Sequence, residues 1–73
     1  MDEERLRLIK LVEHWIKHNE EHGTRFREEA DVAEKKGLKD VVLEIRRAAH
    51  ASKEVSNNLS KALSLLKNTI TNV

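Results

Sequence analysis

"NEEHGTRFREEADVAEKKGLKD", residues 19–40, contains both glycines of a 73-residue chain that has no proline. Which glycine ends a helix decides the fold. Around Gly37 the order is Glu34-Lys35-Lys36-Gly37-Leu38. Cations occupy a last turn, a glycine can take the left-handed conformation, and an apolar residue follows to fold back on the helix end. Asp40 and Glu44 then suit the positive end of a second helix. Gly23 has no such surroundings. Leu8, Val12, Trp15, Asn19, His22, Phe26, Ala30 and Ala33 recur in threes and fours straight across it, where a break would reset the phase.

After Gly37 a second stripe runs through Leu38, Val41, Ile45, Ala48, Ser52, Val55, Leu59, Ala62 and Leu66 towards Ile70. The expected fold is therefore all-α: one helical domain over 1–73, an antiparallel hairpin of two long helices at about 3–36 and 39–70. Each helix would be about 50 Å long. The alternative is a three-helix bundle broken at Gly23, with Thr24 as N-cap and Arg27 in the capping-box position normally held by Glu or Gln. In the hairpin, facing residues would have numbers summing to about 74. That sets Trp15 against Leu59, Phe26 against Ala48, Leu8 against Leu66, and His22 against Ser52, with Asn19 near Val55 and Ser56.

Leu11, Ile16, Val42, Ala49 and Leu63, with Ile9, flank these rows and widen the stripe beyond a two-stranded seam. They are the expected interface residues. A homodimer forming a four-helix bundle would cover them, as would a different protein.

Composition narrows the function classes. Charged residues make up 37% of the chain, yet the net charge is +1, so the signs are interspersed and no nucleic-acid footprint stands out. Cysteine is absent, which removes thiolate chemistry and suits a reducing cytoplasm. Leu6 to Val12 is interrupted by Arg7 and Lys10 and reads neither as a signal peptide nor as a membrane span. No glycine-rich elbow, paired catalytic carboxylates or phosphate loop points to an enzyme.

The chemistry concentrates in "HWIKHNEEH", residues 14–22. On a helix His14, His18 and His22 form a row one turn apart, and neighbours at i and i+4 can share a metal such as Zn or Ni. All three cannot reach one ion, because His14 and His22 are roughly 12 Å apart along the axis. Further ligands would come from Glu13, Glu21 or a symmetry mate. A di-iron site is disfavoured, since Asn19 stands where the carboxylate of Glu-x-x-His belongs and His50 lies opposite the second stripe. The competing reading makes Asn19 and His22 a polar core layer that fixes register. A third reading makes Trp15, Asn19, His22, Phe26 and Ser52 a small-ligand pocket.

"HWIKHNEEH", Phe26, the Ala30 and Ala33 spacing, Gly37-Leu38 and "RRAAHASKEVSNNLSKAL" (residues 46–63) together resemble a small helical domain of archaea and anaerobic bacteria with no settled function. The similarity runs from about Val12 to Leu66 and implies a compact helical domain without catalytic assignment. The residues themselves favour a non-catalytic assembly module over a metal-binding protein.

Overall fold

In the computed structural model, which describes residues 2–71 and side chains as far as Asn68, the chain is a hairpin of α1 (Glu3–Lys35) and α2 (Lys39–Thr71). Asp2 caps α1 by accepting a hydrogen bond from the Glu4 amide at 2.9 Å, and Glu3 and Glu4 place negative charge at the positive end of the helix. At the other end Leu38 N–H donates to Ala33 C=O (3.1 Å) and Gly37 N–H to Glu34 C=O (3.0 Å). This is the bond pair of a Schellman stop, and it requires the φ of +75° that Gly37 adopts. The Leu38 carbonyl then accepts the first bond of α2, from Val42 N–H at 3.0 Å. Leu38 itself stays half exposed.

Helix α1 continues through Gly23, which rules out the three-helix alternative. Thr24 is an interior residue: its hydroxyl donates to the Glu20 carbonyl one turn back at 3.1 Å. The seam shares Val12, Asn19, Phe26, Ala30, Ala33, Ile45, Ser52, Leu59 and Leu66 with the expected stripe but departs from it by one residue at the alternate positions. In α1 it runs Ile9, Val12, Ile16, Asn19, Gly23, Phe26, Ala30, Ala33, and in α2 Val42, Ile45, Ala49, Ser52, Ser56, Leu59, Leu63, Leu66. Spacings of three and four alternate without a fault, the pattern of a two-stranded antiparallel seam. Leu8, Trp15 and His22, and with them Val41, Ala48 and Val55, are exposed on one flank, so the expected pairs Trp15–Leu59, Phe26–Ala48 and Leu8–Leu66 are not core contacts. The side chain of Ile70 lies outside the described ones.

Small residues explain the shift. Ala30, Ala33, Ala49, Ser52 and Ser56 are buried with Val12 and Val42, and Gly23 is buried among them. The helices approach closely where Gly23 meets Ser52. A Cβ built on Gly23 would stand 3.2 Å from Ser52 Oγ, tighter than ordinary contact. Gly23 is therefore a point of close approach, and Gly37, with nothing within 4 Å of a Cβ, is purely a backbone requirement.

Two substitutions separate these roles. Gly37→Ala should cost about 1 kcal/mol through the left-handed backbone alone, and Gly37→Asn less, both read from denaturant melts. Gly23→Ala gains about 1 kcal/mol of helix propensity but presses on Ser52. It should lower the melting temperature in the wild-type chain and raise it in a Ser52→Ala background.

Candidate functional site

The centre of the seam is polar. The Asn19 amide donates one hydrogen to the Ser52 carbonyl (2.6 Å) and another to Ser56 Oγ (2.9 Å), while the Ser52 hydroxyl lies 3.1 Å from both Asn19 C=O and Asn19 Oδ1. Both amide hydrogens are thus used, and among the described residues no buried side-chain nitrogen or oxygen lacks a partner. A one-turn slip would strand these groups, so the layer sets the register of the hairpin. Asn19 and Ser52 belong to the polar layer as expected. Ser56 replaces His22, whose ring lies outside.

The two flanks of the seam differ in kind. On one, Glu13 faces Lys67 (3.5 Å) and Arg46 bridges Asp31 (3.4 Å) and Glu34 (3.3 Å). The hydrogen bond to Glu34, foremost, raises the Arg46 pKa above its ordinary value. These pairs are exposed and worth little in stability, but they make this flank hydrophilic. Between them an open groove of about 850 Å³ is lined by Gly23, Arg27, Arg46, Ala49 and Lys53 among others. Of the expected pocket residues only Ser52 borders it. Trp15, Asn19, His22 and Phe26 do not line it.

The other flank is apolar. Positions seven apart bring Leu8, Trp15, His22 and, towards the turn, the exposed Glu29 of α1 alongside Val41, Ala48, Val55 and Ala62 of α2. Leu8 is 38% exposed, Trp15 45%, Val41 45% and Val55 47%. The expected interface residues fare differently. Val42 and Ala49 are closed inside the hairpin, and Ile16 and Leu63 are half-buried in its seam, so none of these four presents a free face. Leu11 is half-buried at the border of the apolar flank.

Along the same border runs the histidine row. His14 stacks on His18 (ring centroids 5.7 Å, 20° between planes), His18 meets His22 edge to face (4.6 Å, 86°), and His22 stacks on Phe26 (6.2 Å, 24°). His18 Nε2 and His22 Nε2 are 3.1 Å apart. Among the described residues no three histidine or acidic side chains converge as a metal site, so His14, His18 and His22 do not form one within a single chain. His50 is engaged elsewhere, 3.1 Å from Glu54.

The polar layer generates a direct test. Asn19→Ala leaves Ser52 and Ser56 under-bonded in the seam and should cost about 2 kcal/mol in urea unfolding. Replacing all three, as Asn19→Leu, Ser52→Ala and Ser56→Val, should recover stability while amide spectra reveal more than one helix register.

No helix among the described residues is long and apolar enough to cross a membrane. No curated protein and no solved structure matches the chain. One family does: Domain of unknown function (DUF8180) matches residues 8–66, from the first leucine of the apolar flank to the last leucine of the seam. The chain, with its Schellman-closed hairpin and histidine row, therefore belongs to that family of small domains to which no function is assigned.

Proposed function

We propose that this domain is a non-catalytic assembly module in which two hairpins pair through their apolar flanks to form a four-helix bundle. The observation that carries this reading is the difference between the hairpin's flanks: interhelical ion pairs bridge one, and Leu8, Trp15, Val41 and Val55 line the other.

Area and shape support the same reading. A compact domain of 73 residues has a radius of gyration of about 11 Å by the usual scaling, whereas the hairpin has 16.6 Å. Its surface of 5820 Å² exceeds the about 4,650 Å² typical of a compact monomer of 8.5 kDa. Among the described residues no large side chain is fully enclosed. The hairpin measures 56 × 14 × 12 Å, so one long face offers roughly 800 Å², the amount each partner contributes to a standard interface. A second copy supplies a face of the same length, and its ion-paired flank would remain in water on the outside of the bundle.

Sedimentation velocity at micromolar concentrations should give a mass twice that of one chain. Val55→Glu places a charge on the apolar flank and should yield a helical monomer, whereas Ser60→Glu, towards the ion-paired flank, should leave the dimer intact. Trp15 is the only tryptophan. Its emission should shift to the red on dilution as the dimer dissociates. A well-folded monomer at millimolar concentration would refute self-association and leave an unlike protein as the occupant of the flank.

A further inference from the structure

We infer that the paired hairpins share one late first-row divalent cation, of the Zn²⁺, Ni²⁺ or Cu²⁺ class, held by His18 and His22 of one protomer and the same two residues of the other. This inference rests on the dimer proposed above and adds a ligand to it.

The bite of the pair comes first. Two nitrogens bound to one tetrahedral zinc at about 2.05 Å stand roughly 3.3 Å apart. His18 Nε2 and His22 Nε2 stand 3.1 Å apart, so a small opening admits the ion. Without metal, an Nε2–H of one ring can donate to the other Nε2. With metal, the donor ring gives up its Nε2 proton to solvent and takes one from solvent on Nδ1, so both rings stay neutral as Nδ1–H tautomers with no net proton release, and both Nε2 lone pairs face the ion.

The rings are also braced. His14 stacks on the outer side of His18, and Phe26 on the outer side of His22, so the pair is held between two aromatic neighbours. Both histidines are exposed. With no cysteine in the chain, nitrogen and oxygen are the available donors, and imidazole suits zinc, copper and nickel.

Position on the helix supplies the missing ligands. One chain brings only two, since no third histidine or acidic group converges on the pair among the described residues. Asn19 is the central residue of α1, Glu3–Lys35. His18 and His22 straddle a point one residue beyond it. A two-fold axis crossing the middle of the apolar flank at right angles to α1 sets α1 antiparallel to its mate. The two pairs then lie about 3 Å apart along the helix direction, which completes a four-nitrogen set. His14 is a turn further out and serves as a brace.

Zn²⁺ titration by calorimetry, with sedimentation of the same samples, tests the inference. The expected result is half an equivalent of Zn²⁺ per chain at micromolar affinity or tighter. His18→Ala or His22→Ala should abolish it, and His14→Ala should retain it. The Val55→Glu monomer, left with two ligands, should bind at least tenfold more weakly. Cu²⁺ should show four equatorial nitrogens in its electron paramagnetic resonance spectrum. A metal-free dimer with no micromolar binding would overturn the cation site and leave the assembly standing. One ion per chain with affinity unchanged in Val55→Glu would overturn the shared geometry. A chain monomeric with and without Zn²⁺ would overturn both readings.

Discussion

The hydrogen-bonded contact of Asn19 with Ser52 and Ser56, beside the bare backbone of Gly23, is the constraint from which the rest of the structure follows. It requires the helices to approach closely at mid-length, and the missing side chain of Gly23 opposite Ser52 permits that approach. Once it forms, the position of every other seam residue is set, because a heptad pattern allows no local slippage. Residues one position out of that register fall on the flanks. Trp15 is the clearest case: the register that puts Asn19 and Gly23 inside seats Ile16 in the seam and leaves Trp15, the largest apolar side chain in the sequence, 45% exposed beside it.

That displacement links the fold to its use. A hairpin whose middle is built from glycine, alanine and serine has little apolar area to enclose, and isolated two-helix structures of this size are marginal. The leucine, tryptophan and valines displaced from the seam supply what is missing once they meet a similar surface. The distribution of charge then dictates which side is presented. Glu13 with Lys67 and Asp31 and Glu34 with Arg46 make one flank hydrophilic, and the opposite one is the surface proposed to pair. The histidine row borders that flank, where in the proposed dimer ligands from two chains would meet.

The turn and the continuity of α1 were legible in the sequence for distinct physical reasons. Gly37 is announced by its neighbours, Lys35 and Lys36 before it and Leu38 after it, and the two Schellman bonds form there. Gly23 is carried by the phase of the residues around it. The choice of seam was not legible from hydrophobicity, because two parallel rows compete in each helix. Leu8, Trp15 and His22 compete with Ile9, Ile16 and Gly23, and Val41, Ala48 and Val55 with Val42, Ala49 and Ser56. The larger row looks like the better core. The deciding cue lay in polarity and size: Asn19, Ser52 and Ser56 share one register, and that register places Gly23 inside. In the candidate site, Asn19 and Ser52 were readable as a layer, whereas the 3.1 Å approach of His18 to His22 depends on rotamers that spacing does not encode.

The central claim is that the apolar flank is hidden against a second copy with the two α1 helices antiparallel. Dipolar electron resonance on a spin label attached through Lys35→Cys, at the last residue of α1, addresses it most directly. Antiparallel pairing about the helix centre predicts one dominant separation of about 50 Å between the two labels. A dominant separation below about 30 Å, which parallel helices would give at 1.5 Å rise per residue, or no dipolar modulation at any concentration, would contradict the account.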